Sequence, residues 1–375
     1  MKDIISKTKK YPTPFYVFDL GRVEKNYQEI HKSLPGVRIH YAVKANPSLG
    51  ILERLNTIGS GFEIASVNEL DTLISIGVSP SEILYSAPVK PGEYIKKAFD
   101  AGVRRFAFDN FSEIDKISQF APKSEVYLRI AVSDNGSRLP LSSKFGASIN
   151  DTAELMQYAK KLGLIPWGIA FHVGSQSTNL DVWELAIQSC GFVINELAEN
   201  NIKIKVLNMG GGIPVRYTED VPELDEIGLT IKRSIKRYAP YKVDLIIEPG
   251  RAMVANAGVL VTSVISRAVR SNRNWLYTDT SAFHGLLETM PCQGAIDYPV
   301  DCDPKKSQKA IKYIITGPTC DSFDTYFYKK ELPSDLKIGD RLYIQNIGAY
   351  SLSFASNYNG FSPPGVLYLD GGKIL

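Results

Sequence analysis

Short apolar runs alternate with longer amphipathic segments through the first part of the chain. The runs are rich in β-branched and aromatic residues, are as long as strands, and cover 37–44, 61–66, 82–88, 104–109, 125–130, 167–174, 206–212 and 244–250. Between them, apolar residues recur with the period of a helix, as at 67–77, 92–102, 151–163 and 180–201. Several of these segments end at a glycine suited to a left-handed C-cap, namely Gly77, Gly102 and Gly163. The pattern predicts a repeated strand–helix unit.

Eight strands, each followed by a helix, are what a closed parallel barrel needs. A doubly wound open sheet is the alternative, but its usual GxGxxG turn is absent after the first strand. We therefore predict an α/β fold, with a (β/α)8 TIM-like barrel over residues 20–257.

The pattern changes at about residue 258. Apolar residues then alternate with the period of a strand over 258–269, 274–283, 312–322 and 340–350, without long helices between them. An early run at 14–19 either pairs with these strands or leads into the barrel. We predict that a C-terminal β-domain, resembling a sandwich or a β-barrel, covers 258–375 together with 1–19.

Composition narrows the functional classes. The 43 basic and 40 acidic residues are spread along the chain and leave a net charge of +3, so no basic stripe suggests a nucleic-acid or membrane surface. The amino terminus lacks the apolar core of a signal peptide, and no apolar stretch reaches the ~18 residues of a membrane span. The cysteines fall in no zinc-like spacing; they are Cys190, Cys292, Cys302 and Cys320. We expect a reduced, cytoplasmic protein without a metal site.

Residues suited to catalysis or to ligand binding lie at the predicted carboxyl ends of the barrel strands, where barrel enzymes place their active sites. They are Lys44, Glu63, His172, the triplet Gly210, Gly211 and Gly212, Glu248 and Arg251. These residues also have purely structural explanations. Lys44 would then be a solvated surface lysine and His172 a core histidine, the glycine triplet would form a tight turn, and Glu248 and Arg251 would form an ion pair. Yet a lysine of lowered pKa can form a Schiff base with an aldehyde, and consecutive glycines let backbone N–H groups approach a phosphate.

Nine segments, in order along nearly the whole chain, carry a resemblance to a known family. They are YAVKAN (41–46), FEIAS (62–66), SKFGA (143–147), FHVGSQ (171–176), GGGIP (210–214), EPGR (248–251), GPTCDS (317–322), GAY (348–350) and NGF (359–361). The chain resembles the barrel-type (fold type III) pyridoxal-phosphate (PLP) decarboxylases of ornithine, diaminopimelate and arginine, and most of all the bacterial ornithine decarboxylase-like members.

The resemblance implies how PLP is bound. Lys44 resembles the residue that holds the cofactor aldehyde, His172 the ring that stacks on the pyridine, and Glu248 the carboxylate that keeps the pyridine nitrogen protonated. Other positions match the phosphate anchors: Ser175, Gly211, Gly212, Arg251 and Tyr350. Gly250 is a further candidate for cofactor binding. Glu63 and Arg129 match family positions close to the lysine.

The resemblance also implies residues that act on the substrate. Cys320 resembles the acid that protonates the carbanion after carbon dioxide leaves, and Asp321 resembles a ligand of the substrate amine. Tyr350 and Cys292 are further candidates for substrate contact. In the family, the residues that Cys320 and Asp321 resemble reach the active site from the partner subunit. The resemblance therefore implies a head-to-tail homodimer.

One segment, 275–300, departs from the family pattern. Bacterial relatives carry an acid after the ETM-type turn, whereas Pro291, Cys292, Gln293 and Gly294 follow Met290 here. A buried ammonium without a carboxylate is costly, so either Asp321 suffices or the distal group is not a free ammonium. The expected reaction is decarboxylation of L-ornithine or lysine to a diamine. The alternatives are the same chemistry on a larger, conjugated amino acid, a diaminopimelate decarboxylase, a non-catalytic PLP-binding homologue and a racemase.

Overall fold

The structure, a computed structural model, describes residues 2–141, 144–290, 296–302, 306 and 309–375. The helices are α1 (Lys2–Thr8), α2 (Leu20–Ser33), α3 (Leu49–Thr57), α4 (Val67–Ser75), α5 (Gly92–Ala101), α6 (Phe111–Phe120), α7 (Thr152–Lys161), α8 (Asp181–Glu199), α9 (Leu224–Tyr238) and α10 (Arg251–Val254).

The strands are β1 (Phe15–Asp19), β2 (Val37–Ala42), β3 (Gly61–Ile64), β4 (Ile83–Tyr85), β5 (Arg105–Phe108), β6 (Glu125–Arg129), β7 (Ser137–Leu139), β8 (Ile165–Ala170), β9 (Ser175–Ser177), β10 (Val206–Asn208), β11 (Asp244–Ile247), β12 (Gly258–Arg270), β13 (Arg273–Thr278), β14 (Val300–Cys302), β15 (Ala310–Thr316), β16 (Thr325–Pro333), β17 (Arg341–Gln345), β18 (Gly365–Asp370) and β19 (Lys373–Ile374).

The chain divides into two compact units. The barrel unit comprises Asn26–Pro214 and Val221–Ala252, and the β unit comprises Met1–Lys25, Val215–Asp220 and Met253–Leu375. The limits of these units differ by a few residues from the predicted domains, which were 20–257 for the barrel and 258–375 with 1–19 for the β-domain. The domain boundaries therefore stay a prediction.

Within the described residues, eight parallel strands close the barrel in the order β10-β11-β2-β3-β4-β5-β6-β8. The circle is completed by β8 and β10, where Gly168 lies opposite Val206. Each of the eight apolar runs overlaps one of these strands, so the predicted barrel is confirmed and the doubly wound sheet was the wrong alternative. Gly77, Gly102 and Gly163 all have positive φ at the ends of their helices, as predicted.

Buried apolar side chains from six of the barrel strands pack into one cluster. Its members are Leu84, Ala107, Tyr127, Trp167, Ala170, Val206 and Ile246. The rings of Tyr127 and Trp167 meet edge to face, with centroids 5.7 Å apart. Because this cluster fills the barrel, polar groups are concentrated at its ends.

The β unit is built on a sheet that, in the described part of the chain, has nine strands. Its main path is β16-β15-β13-β12-β1-β18-β19, and β17 pairs with β12 and β14. The long β12 has a bulge between Val264 and Ser266; its first half pairs with β1 and β17, and its second half pairs with β13. The early run therefore belongs to this sheet, since β1 is antiparallel to β12 and parallel to β18.

Among the helices of the described residues, none combines the length and the apolar character that crossing a bilayer requires.

Candidate active site

An ion pair joins the ends of two neighbouring barrel strands. Lys44 lies in a short 3-10 turn directly after β2, and its Nζ is 2.6 Å from Oε2 of Glu63 at the end of β3. The Glu63 side chain is only 2% exposed, whereas that of Lys44 is 44% exposed. The carboxylate is therefore fixed in the protein while the amine remains accessible at the barrel mouth.

Glu248 follows β11, and two polar side chains from other strands meet its carboxylate. Ser86, after β4, and Asn208, at the end of β10, both donate to Oε1 at 2.6 Å. The Ser86 hydroxyl also lies 2.6 Å from the hydroxyl of Tyr127. Because both donors occupy Oε1, Oε2 is the oxygen available to exchange a proton. Ser86 and Asn208 were not predicted as site residues, although both stand at strand ends, where we sought reactive groups.

The environment of Glu248 raises its pKa to about 7. Desolvation in the barrel mouth is the largest cause, and the negative charge of Glu63 adds to it. Lys44 and the hydrogen bonds from Ser86 and Asn208 oppose the rise because they favour the ionised carboxylate. Glu248 is therefore set to gain or lose a proton near neutral pH.

His172 is held as a neutral ring. Desolvation, which is the largest cause, and the positive charges of Arg129 and Lys44 together lower its pKa to about 3. Its Nδ1 accepts a hydrogen bond from the backbone N–H of Gly174 at 3.0 Å, so the proton of the neutral ring is on Nε2. A flat, uncharged ring with a fixed tautomer suits stacking on another aromatic ring.

The glycine triplet lies where no side chain fits. A Cβ on Gly211 would be 2.7 Å from the carbonyl oxygen of Glu248, and one on Gly212 would be 2.5 Å from that of Gly174. Gly212 also has φ of +112°, which L side chains rarely adopt. The glycines are therefore required here because their backbone packs directly against neighbouring backbone carbonyls.

An arginine and a hydroxyl lie beside each other in the same unit. Arg251, which follows Gly250 at the start of α10, donates from Nε and Nη2 to the Ser175 hydroxyl at 3.3 and 3.1 Å. Arg251 is buried, so contacts with the protein fix the orientation of its guanidinium. A guanidinium and a hydroxyl form a donor set that matches an anion such as phosphate.

Arg129 ends β6 with its guanidinium 5.5 Å from the centre of the Phe145 ring. Burial lowers its pKa, and the negative charges of Glu248, Asp109 and Glu63 oppose that effect.

The barrel unit contains most of the predicted site residues. They are Lys44, Glu63, Arg129, His172, Ser175, Gly211, Gly212, Glu248, Gly250 and Arg251.

The remaining predicted residues lie in the β unit. Cys320 is exposed in the turn after β15, and the carboxylate of Asp321 accepts from the Phe323 N–H at 2.8 Å and from the Tyr358 hydroxyl at 3.1 Å. Tyr350 has φ of 53°, and its ring stacks with that of Phe354. Cys292 lies outside the described residues.

Asp297, the acid nearest to the altered turn, is engaged elsewhere. Its Oδ1 is 2.6 Å from Nζ of Lys330, which also donates to the carbonyl of Tyr298. Its charge is thus balanced by a lysine of the β unit.

Comparison with known proteins identifies the family. The family model described as "pyridoxal-dependent decarboxylase, pyridoxal binding domain" matches residues 20–255. The chain belongs to this family. The lysine/ornithine decarboxylase of Selenomonas ruminantium is 36% identical over 364 residues, which cover 96% of this chain and 90% of that protein.

Solved structures show the same relationship. A variant of SrLDC in complex with PLP has a TM-score of 0.92 and 35% identity, covering 98% of this chain and 94% of that one. The arginine decarboxylase of Paramecium bursaria Chlorella virus has a TM-score of 0.92 and 31% identity, covering 98% of this chain and all 100% of that one. The protein is a PLP-dependent carboxy-lyase, as the sequence predicted.

The barrel unit fits PLP on its own geometry. An accessible amine at Lys44 suits the aldehyde, and the neutral His172 ring suits the pyridine face. The backbone at Gly211 and Gly212, which carries no side chain, and the buried guanidinium of Arg251 suit the phosphate.

Proposed function

We propose that this decarboxylase acts on L-ornithine or L-lysine and releases a diamine and carbon dioxide. The observation that carries the proposal is the hydrogen-bonded Asp321, a carboxylate suited to the distal ammonium of such a substrate, directly after Cys320. The name of the Selenomonas ruminantium relative supports it.

The barrel residues have complementary roles in this proposal. Lys44 would hold the cofactor through its amine, and Glu63 keeps that amine in place. Bound PLP supplies an electron sink for the electrons of the breaking bond to the carboxylate. Glu248 would hold a proton at the pyridine nitrogen through Oε2, because Ser86 and Asn208 already occupy Oε1. Ser175, Gly211, Gly212, Gly250, Arg251 and Tyr350 would anchor the phosphate.

Two residues of the β unit complete the reaction in this proposal. The thiol of Cys320 donates a proton to the substrate carbon after carbon dioxide has left. Asp321 pairs with the distal ammonium and so orients the side chain of the substrate.

We also propose a homodimer in which Cys320 and Asp321 serve the active site of the partner. Exposed aromatic side chains in the β unit support an interface near Cys320, because association of two subunits would remove their apolar surface from water. Phe323 is 74% exposed, Phe354 46% and Phe361 38%. Cys190 and Cys320 are free thiols, which supports a reducing compartment such as the cytoplasm.

A second candidate keeps the chemistry but moves the substrate to a conjugated amino acid without a free distal ammonium. It is favoured by the sequence of the altered turn after Met290, in which 291–296 carry no acid, and by the pairing of Asp297 with Lys330, which already balances the charge of the next acid along the chain.

The test is carbon dioxide release by the PLP-loaded enzyme from ornithine, lysine, arginine, diaminopimelate and several conjugated amino acids. We expect the highest kcat/KM with ornithine or lysine, and loss of turnover in Lys44→Ala. Lys97→Ala is a matched control, since Lys97 also pairs with a carboxylate, at 2.6 Å, but is on the helical surface. Release from conjugates alone would favour the second candidate, and activity retained in Lys44→Ala would contradict the assigned mechanism.

A further inference from the structure

The segment that carries Cys320 and Asp321 is fixed at its base by a buried carboxylate. Asp324 is 0% exposed; its Oδ1 accepts from the Ser281 hydroxyl at 2.8 Å and from the Ala282 N–H at 2.7 Å. Its Oδ2 accepts from the N–H and the hydroxyl of Thr319 at 3.0 and 2.7 Å. Four donors on one buried carboxylate leave it little freedom to turn.

The segment also closes on itself above Asp324. The N–H of Gly317 donates to the Asp324 carbonyl at 2.9 Å. A Cβ at Gly317 would lie 2.3 Å from Oδ2 of Asp324, so the carboxylate packs directly against this backbone. Cys320 and Asp321 therefore project from a rigid turn rather than from a loose loop.

A second group of contacts holds the outer side of the turn. The Cys320 N–H donates to Oδ1 of Asn359 at 3.1 Å, and the Tyr358 hydroxyl donates to Oδ2 of Asp321 at 3.1 Å. The Tyr358 ring lies against Phe283, with centroids 4.4 Å apart. Phe283 follows Ala282, whose N–H is bound by Asp324, so the base and the outer side are linked through one short segment.

The hydroxyl of Tyr358 remains a donor at neutral pH. Its hydrogen bond to Asp321 raises the pKa of the phenol, with the charge of the same carboxylate adding to the effect. Each oxygen of Asp321 thus carries one donor, Oδ1 from Phe323 and Oδ2 from Tyr358.

This occupancy affects which cation Asp321 can bind. A guanidinium binds a carboxylate best through two parallel bonds, one to each oxygen. An ammonium is a compact charge that needs a single oxygen at a time. With one donor already on each oxygen, Asp321 suits an ammonium better than a guanidinium.

We propose that Tyr358 is a specificity-determining positioning residue: its hydroxyl fixes the Asp321 carboxylate so that a substrate with a distal ammonium is selected over one with a guanidinium. This inference rests on the proposed role of Asp321 and adds the residue that sets its selectivity.

The test is Tyr358→Phe, which removes the hydroxyl and keeps the ring against Phe283. We expect KM for ornithine or lysine to rise about fivefold with kcat within twofold of wild type. The ratio of kcat/KM for arginine to that for the diamino acid should rise about tenfold. Tyr328→Phe is the control, because Tyr328 is an exposed tyrosine, 55% accessible, on β16 of the same unit.

A binding measurement separates this proposal from the proposed function. Calorimetric titration of the holoenzyme with 1,4-diaminobutane and with its guanidino counterpart reports the preference of Asp321 without turnover. We expect the preference for the diamine to fall about tenfold in Tyr358→Phe and to be unchanged in Tyr328→Phe. Unchanged KM, substrate ratio and binding preference in Tyr358→Phe would overturn the role of Tyr358 while leaving decarboxylation of diamino acids intact. No gas release by the wild type, with the shift in binding preference observed, would overturn the proposed function alone.

Discussion

At the residue scale, the protonation of Glu248 depends on a small number of neighbours. Desolvation and Glu63 raise its pKa, while Lys44, Ser86 and Asn208 keep it near 7. A change at Ser86 or Asn208 therefore acts on catalysis through the proton of Glu248, without touching the substrate.

Replacing Ser86 by alanine tests this dependence. The Ser86 hydroxyl favours the ionised Glu248, so its loss raises the pKa of that carboxyl and less of the ionised form exists at a given pH. We expect the acid limb of the kcat/KM profile to move to higher pH by about half to one unit, and kcat/KM at pH 7 to fall about two- to fivefold. Ser75→Ala is the control, since the Ser75 hydroxyl donates to the Thr72 carbonyl on an exposed helix. An acid limb at the wild-type position would contradict the role of Ser86.

Gly211 offers a second test at this scale. The Cβ of Gly211→Ala would meet the carbonyl oxygen of Glu248 at 2.7 Å, so the backbone must move away from the position that suits a phosphate. We expect the Kd for PLP, measured by titrating the apoprotein, to rise at least about tenfold. In Gly365→Ala the new Cβ has its nearest neighbour at 3.9 Å, and we expect wild-type affinity. Tight PLP binding by Gly211→Ala would show that this backbone does not approach the cofactor.

At the element scale, the barrel was predictable because each strand is a separate apolar run. All eight runs, from 37–44 to 244–250, overlap a barrel strand. The contribution of Ser86 and Asn208 was not predictable, since a single hydroxyl or amide has no periodic signal. Ser86 meets Glu248 only because closure of the barrel brings β4 and β11 to one mouth, although β2 and β3 lie between them in the strand order.

The same limit applies to the β unit. Alternation predicted its strands but not the partners of β1, because pairing depends on segments far apart in the chain. The NGF segment was recognised without a role, and the contacts of Tyr358 and Asn359 emerge only when the chain folds back onto residues 320 and 321.

A buried ion pair joins two βα units of the barrel. Lys90 Nζ lies 2.8 Å from Oε1 of Glu113 on α6, and both side chains are at most 1% exposed. Lys90 also donates to the carbonyls of Ala87 and Ala107, which follow β4 and lie in β5. This lysine therefore fixes the loop that begins with Ser86.

Lys90→Met should destabilise the protein strongly. The substitution leaves part of the Glu113 charge and two carbonyls without a buried donor, so we expect the free energy of unfolding to fall by about 3–5 kcal/mol. Lys97→Met removes an exposed pair with Asp71 and should cost at most about 1 kcal/mol. Urea unfolding of the two variants measures the difference, and equal losses would show that burial does not decide the strength of these pairs.

At the scale of the whole molecule, the proposed dimer predicts complementation between inactive variants. Lys44→Ala and Cys320→Ala homodimers should each lack an intact site. After exchange in equal amounts, half of the dimers are mixed and each has one intact site of two, so about a quarter of wild-type activity should return. The measurement is carbon dioxide release before and after mixing, with sedimentation to confirm the oligomer. No recovery in a mixture shown to contain mixed dimers would place Lys44 and Cys320 of each site on one chain.

The pairing of β1 has a consequence for biosynthesis. Phe15 lies opposite Val261 on one side and Gly365 on the other, so β1 leaves the ribosome long before either of the strands with which it pairs. At about 5–20 residues per second, roughly 20 to 70 seconds separate Phe15 from Gly365 during translation. The strands of the barrel, all made by Ile247, are complete well before that moment. The apolar β1 therefore remains without its strand partners while the barrel strands are completed, and a ribosome that stalls before residue 365 releases a protein in which β1 has no parallel partner.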